Sequence, residues 1–172
     1  MSIVSADRNK TGRDGMDNRY LCFHLGNEEF GIPLLSVKEV IAIPEIIPVP
    51  QTPNYMLGIM NLRGQVISII DMRTKLTIKP SETAETAVII CDMHPNHIGI
   101  VVDSIDSVIH PTKEQISEKP EVYSQKTSAY IESVYRTDKR LVLLLDIAKT
   151  LNASDQQIIA KAVESQPKAN AA

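Results

Sequence analysis

Short runs of apolar residues separated by polar or glycine-bearing turns recur along the chain, and their length of about five or six residues suits strands better than helices. Residues 20–25 and 30–34 flank Gly26-Asn27-Glu28-Glu29 and predict a hairpin, and residues 87–91 and 98–102 predict a second one. A third is expected from residues 56–60 and 66–70, which enclose the turn Asn61-Leu62-Arg63-Gly64. Gly58 and Gly64 bracket that turn, where a missing Cβ permits positive φ or close backbone approach. Residues 43–53 carry Pro44, Pro48, Pro50 and Pro53. Proline supplies no ladder donor and favours extended geometry, so this stretch reads as an ordered apolar connector. Its counterpart at 110–129 is polar and longer, with Thr112 and Gln115 at capping-box spacing for a short helical turn. Near the end, Ser154 and Gln157 repeat that spacing, and Ile158/Ala162 and Ile159/Val163 form i,i+4 apolar pairs. They predict an amphipathic helix over 153–165 that covers a barrel end. Residues 1–18 lack apolar periodicity and are expected to be a disordered tail, and 166–172 a frayed one.

The pattern repeats. Moved forward by 68 positions, residues 20–41 fall on 88–109 without a gap: Gly31-Ile32 meets Gly99-Ile100, Ser36 meets Ser104, and Val37, Val40 and Ile41 meet Ile105, Val108 and Ile109. The next block moves by 75, so that Tyr55 falls on Tyr130, Asp71 on Asp146, Leu76 on Leu151, and the run 66–70 on 141–145. A period near 70 residues is too long for a solenoid unit, and two copies are too few for an array. Two small subdomains of one ancestry are expected, about 20–85 and 86–151, within a unit spanning 19–152. Each is near the lower size limit for a core, so they should pack on each other. The repeat also isolates a difference, because Asn61-Leu62-Arg63-Gly64 stands where the second half has Arg136-Thr137-Asp138-Lys139. What the halves share is fold. What one half alone carries is the better candidate for function.

Composition narrows the partners. With 172 residues, a net charge of -3, 43% apolar, 23% charged and 4% aromatic residues, the chain is an ordinary globular mix. It has neither the basic footprint nor the stacking platforms of a nucleic-acid binder. No stretch approaches the roughly 18–20 apolar residues of a membrane span, and the N-terminus is polar where a signal peptide has an apolar core. A cytoplasmic protein without direct membrane insertion is expected. Cys22 and Cys91 lie in apolar runs one position out of register across the repeat, which fits two buried thiols of a reducing compartment better than a disulfide.

Catalytic chemistry finds no constellation. Asp71 and Asp146 end equivalent strands and suit caps for the turns that follow them. Asp103 and Asp106 follow the strand at 98–102 and are expected to be solvated. Cys91, Asp92, His94 and His97 have suggestive spacing, but Pro95-Asn96 marks a hairpin turn, which collects such residues without metal, and no fourth ligand stands at a diagnostic spacing. His24 and His110 have no nucleophile pattern beside them, and no phosphate-cradling glycine loop, GxSxG or HExxH occurs. No enzyme, cofactor or metal is expected. The asymmetric turn does offer binding chemistry. Leu62 gives a small apolar contact and Arg63 a planar five-donor cation able to grip a carboxylate bidentately, a pairing suited to interface hot spots. Glu39, within Val37-Lys38-Glu39-Val40, poses the same choice between a solvated group and a contact.

Several segments together resemble the CheW family of bacterial chemotaxis coupling proteins. They are residues 21–31, Val37-Lys38-Glu39-Val40, Gly58-Ile59-Met60-Asn61-Leu62-Arg63-Gly64-Gln65-Val66, Ile69-Ile70-Asp71-Met72-Arg73 and Gly99-Ile100-Val101-Val102-Asp103, in the family's order and spacing from about Leu21 to Leu151. The resemblance implies an all-β fold of two intertwined SH3-like five-stranded β-barrels around a shared core, in agreement with the repeat. It also implies a non-catalytic adaptor that couples transmembrane chemoreceptors to the histidine kinase CheA and is recruited to receptor arrays at the inner face of the membrane. The partners it implies are the kinase's regulatory domain, through a like barrel, and the receptors' cytoplasmic tip, in the groove between subdomains. By motif match, partner contacts fall on Glu39, Asn61, Leu62, Arg63 and Gly64. Val37 and its repeat mate Ile105 are assigned to groove lining, although their apolar character equally suits a core. Two positions depart from the family pattern: Ser68 stands where proline is common, which should relax a strand-edge restriction, and Ser133 where glycine is common. The alternatives are a coupling paralogue serving a non-motility pathway, a coupling domain of a larger receiver or kinase protein, and a small-barrel nucleic-acid binder.

Overall fold

The computed structural model describes residues 18–81, 85–94, 96–118, 129–151 and 153–164. Apart from Asn18, the expectations for the two tails lie outside the described residues. Strands β1 (Tyr20–Leu25) and β2 (Glu28–Pro33) form the first hairpin, and a 3-10 turn at Leu34–Ser36 leads to β3 (Val37–Ala42). Strands β4 (Met56–Leu62) and β5 (Gln65–Asp71) form the next hairpin, followed by the one-turn helix α1 (Met72–Lys75). The second half holds β6 (Ala87–Asp92), β7 (His97–Val102), β8 (Ser104–Ile109), a 3-10 turn at Lys113–Gln115, β9 (Ile116–Glu118), β10 (Ile131–Arg136), β11 (Leu141–Leu145), α2 (Ile147–Thr150) and α3 (Ala153–Glu164). The predicted hairpins are all present, and Gln115 Oε1 accepts from Thr112 N at 2.9 Å in the expected helical turn.

Two mixed sheets run in the orders β8-β1-β2-β11-β10-β9 and β3-β6-β7-β5-β4. Applying the repeat converts one order into the other, since β1 and β2 correspond to β6 and β7, β3 to β8, and β4 and β5 to β10 and β11. The three-residue β9 gives one sheet a sixth strand where five are expected. Its counterpart in the other sheet is the isolated bridge of Ile47 to Ile59. Neither sheet comes from one half of the chain. The leading hairpin of each half pairs into the sheet of the other through a parallel junction, with Phe30 beside Leu143 and Ile98 beside Ser68 at matching positions. A boundary near residue 85 thus separates the repeats but not the sheets. Among the described residues the chain passes between sheets twice, from β2 to β3 through Leu34–Ser36 and from β7 to β8 through Asp103.

Burial on both faces explains why the apolar runs are continuous rather than alternating. Along β11, Leu143 and Leu145 enter a core shared by the two sheets, whereas Val142 and Leu144 fill the interior of the six-stranded barrel. Along β6, Ile89 and Cys91 face the shared core, and Val88 and Ile90 the interior of the five-stranded barrel. The two-residue period of a strand makes this division. It also sends the two cysteines, one position out of register, to different compartments. Cys22 lies in the six-stranded barrel and Cys91 in the shared core, both as free thiols. Burial pushes each thiol pKa up to about 12.

The proline-rich connector is ordered as expected. Ile47 N donates to Ile59 O at 2.8 Å, and Ile59 N donates to Ile47 O at 2.9 Å, which closes the outer edge of β4. Gly58, at φ 145°, admits this contact, because a Cβ there would lie 2.1 Å from Ile47 O. In the second half Ser133 fills the equivalent place without positive φ, and β10 keeps a register irregularity between Ile131 and Ser133 like that between Met56 and Gly58. The expectation for Ser68 is corrected: β5 lies between β4 and β7, so no strand edge is relaxed there, and the buried Ser68 hydroxyl has no hydrogen-bond partner.

Helix α3 begins at Ala153, which places the expected cap Ser154 inside its first turn. Its inward face carries Asp155, Ile159 and Ala162, and Ile159 joins the shared core. Asp155 Oδ2 accepts from Lys75 Nζ at 2.8 Å and Oδ1 from the Tyr55 hydroxyl, while the Lys75 ammonium lies 4.4 Å from the Tyr55 ring centroid. The helix is therefore fastened to the body by charge as well as by apolar contact.

Candidate partner-binding site

Strands β4 and β5 are joined by a two-residue turn, because Leu62 pairs with Gln65 and leaves Arg63 and Gly64 between them. Both turn residues have positive φ, 52° and 85°. This is the pattern of a type I′ turn, whose twist matches the strands it connects and which favours asparagine and glycine. An arginine in the left-handed region is held there against its own preference. Asn61 supplies restraint, its Oδ1 accepting from Gly64 N at 2.8 Å. A Cβ on Gly64 would meet nothing within 4 Å, so conformation rather than space requires glycine. Leu62 is half-buried and packs toward the interior of the five-stranded barrel, leaving Arg63 as the residue that projects.

The Arg63 side chain is 73% exposed, yet it is not loose. Its guanidinium grips Glu39 bidentately, Nη1 to Oε1 at 2.6 Å and Nη2 to Oε2 at 3.0 Å, and the Glu39 side chain is 30% exposed. Glu39 belongs to β3, the edge strand opposite β4 in the same sheet, so the pair bridges the sheet's two edges. The hydrogen bonds from Arg63 hold the Glu39 carboxyl below its ordinary value, and the carboxylate raises Arg63 in turn. An ion pair this exposed adds little to stability, but a bidentate fork fixes the plane and direction of both groups. Two motif-matched positions that are separate in sequence thus form one feature. Exposed apolar residues flank both edges, Val40 and Ile43 by β3 and Ile47 beside β4. Val37, two residues before Glu39 on β3, and Ile105, on β8, are each half-buried against the shared core.

The second half closes differently. Thr137 N donates to Arg140 O at 2.9 Å, Thr137 Oγ1 accepts from Arg140 N at 3.1 Å, and neither Asp138 nor Lys139 has positive φ. The cation here is Arg140, which pairs with Glu29 and, at 2.7 Å, with Asp106. Asp106 is therefore ion-paired rather than merely solvated. Asp103 departs further from expectation. It is 1% exposed and accepts from Gly26 N at 2.5 Å, Arg73 Nη1 at 2.8 Å and Ser81 N at 3.1 Å. Burial alone would raise its pKa, but these donors outweigh burial and hold the carboxyl below its ordinary value.

Asp71 and Asp146 act as caps. Asp71 Oδ1 accepts from Arg73 N at 2.9 Å, and Asp146 Oδ1 from Lys149 N at 3.2 Å. Cys91 faces the shared core, and His97 Nδ1 lies 3.4 Å from Asp92 Oδ1. Among the described residues no group of three His, Cys, Asp or Glu is placed to hold a metal ion, and no helix is long and apolar enough to cross a membrane.

The family model described as a CheW-like domain matches residues 19–155. The chain belongs to the CheW family. Chemotaxis protein CheW of Klebsiella aerogenes is 31% identical over 157 residues, covering 91% of this chain and 95% of that protein. Protein FrzA of Myxococcus xanthus is 20% identical over 161 residues, covering 92% of this chain and the whole of FrzA. The crystal structure of the scaffolding protein TtCheW from Thermoanaerobacter tengcongensis matches with a TM-score of 0.72 at 26% identity, over 81% of this chain and 96% of that one. CheW membership accounts for the all-β architecture of two subdomains. It places the chain among chemotaxis and scaffolding proteins.

Proposed function

We propose that the chain is a non-catalytic adaptor that couples transmembrane chemoreceptors to the histidine kinase CheA, within receptor arrays at the cytoplasmic face of the membrane. The observation that carries this reading is the bidentate Arg63–Glu39 pair on a turn that disfavours arginine. The pair lies in one half of the repeat, and its exposure makes a stabilising role weak. Recognition gives a reason for an arginine at that position. In this reading the kinase's regulatory domain takes the face formed by Glu39 and the turn Asn61-Leu62-Arg63-Gly64. The receptor tip takes the groove between barrels, with Val37 and Ile105 in its lining. Family membership and the likeness to TtCheW, a scaffolding protein, support the assignment.

The test is capture by purified kinase regulatory domain and by a receptor cytoplasmic tip. Arg63→Glu should leave the circular dichroism spectrum unchanged and weaken kinase binding about tenfold or more, within the range of an interface hot spot. The reversed double variant, Glu39→Arg with Arg63→Glu, restores an intramolecular pair but should bind as weakly, because the partner reads the charges in place. Unchanged binding by folded Arg63→Glu protein excludes the role given to Arg63. Failure of the unmutated protein to bind either partner excludes coupling.

A further inference from the structure

The two crossovers between the sheets are equivalent under the repeat, but they are built differently. Asp103 alone makes the crossover from β7 to β8. Its N–H donates to His24 O at 3.0 Å, and its carboxylate gathers Gly26 N from the β1–β2 turn, Ser81 N from the connector after α1, and Arg73 Nη1 from α1 itself. Arg73 is held from its other side by Asp71 at the end of β5, Nε to Oδ1 at 3.0 Å and Nη2 to Oδ2 at 3.1 Å. One carboxylate and one guanidinium therefore tie the six-stranded sheet, at the Gly26 turn, to the five-stranded sheet, at Asp71, and the Asp103 N–H adds a bond to His24. Packing at the joint agrees: a Cβ on Gly26, at φ 61°, would lie 2.8 Å from Lys79 O and 2.9 Å from Ile78 Cγ2.

The other crossover, Leu34–Ser36, has none of this. The repeat puts Leu35 opposite Asp103, Ala148 opposite Arg73 and His94 opposite Gly26, and Leu35 is 53% exposed. Two grooves open on that face. One of about 380 Å³ is lined in part by Pro33, Ser36 and Ala148, and one of about 410 Å³ in part by His94, while Met93 and Gln156 line both. Ala148, in the place of Arg73, and His94, in the place of Gly26, thus line open space, and Leu35, in the place of Asp103, is left exposed.

We propose that the Asp103–Arg73 pair is a fixed pivot that sets the angle between the two barrels and confines their relative motion to the opposite, grooved face. Breaking a buried pair strands a desolvated charge, whereas each strand ladder lies within one sheet, so that a change of angle between the sheets need break no ladder. Resting on the adaptor reading, Asp103 and Arg73 are also positioning residues. Neither is assigned a partner contact, yet together they set the geometry in which the Arg63 face and the inter-barrel groove are presented.

The experiment places spin labels on the exposed sites of Glu45→Cys and Asp138→Cys, one in each barrel, and measures their distance distribution in the full chain. Asp103→Asn should broaden or shift that distribution, while Ile67→Val, a core change inside one barrel, should not. If Asp103→Asn fails to fold, Arg73→Gln gives the same readout, since Asp71 still caps α1 and Asp103 keeps the Gly26 and Ser81 amides. A distribution unchanged in the folded variant overturns the pivot. In binding assays with purified kinase domain and receptor tip, the variant should keep each separate affinity but lose about tenfold in joint assembly, a typical coupling magnitude. A shifted distribution with full joint assembly overturns the positioning role. Should the unmutated protein bind neither partner, the adaptor reading fails, and the distance measurement still decides the pivot.

Discussion

Arg63 occupies a φ of 52°, a region where asparagine and glycine sit more readily. Arg63→Asn should therefore keep the turn and leave the melting temperature unchanged or higher, while kinase capture falls. A clear loss of thermal stability with binding retained would show that the arginine serves the fold. The turn itself was legible in the letters, because the repeat exposes a quartet with no match in its other half. Its partnership with Glu39 was not. The two residues meet between the two edges of one curled sheet, and that approach leaves no trace in local spacing. Asp103 is buried where its local sequence suggests a solvated group, since its donors come from Gly26, Arg73 and Ser81, three segments that only the tertiary fold assembles.

Hairpins with strongly apolar strands could be located because burial on both faces makes unbroken runs. Strands β3 and β8 escaped the same reading. Both are edge strands that bury at most alternate residues, so their patterns resemble exposed turns. The three-residue β9 is too short to carry any period. Helix α3 was visible through its i,i+4 pairs, but Asp155 on its inward face was not expected to matter. Its carboxylate meets the Tyr55 hydroxyl and the Lys75 ammonium, with side-chain exposures of 6% for Asp155 and 10% for Lys75. Asp155→Ala should cost about 3 kcal/mol, the lower range for removing one member of a buried pair, read from urea denaturation. Hydrogen exchange should quicken in α3 and around Tyr55 first. A loss no larger than that of a surface substitution would mean that apolar packing alone holds the helix.

At the scale of the molecule, the exchanged hairpins make each half incomplete. Residues 19–85 lack β11 for the free edge of β2, and their β3 and β5 lack β6 and β7. That fragment alone should show no cooperative unfolding transition. Mixed with residues 86–164, it should recover a single transition by urea titration, and a cooperative transition from either fragment alone would show that the interlocking is dispensable. The repeat made two related units legible, whereas the exchange between them came only with the family resemblance, because swapped and unswapped pairings bury the same faces. The parallel junction of Phe30 with Leu143 also has a consequence in time. At roughly 5–20 residues per second of synthesis, β2 leaves the ribosome on the order of ten seconds before the strand that covers its edge exists. During that interval a chaperone, or the same strand on a neighbouring nascent chain, is its nearest available partner.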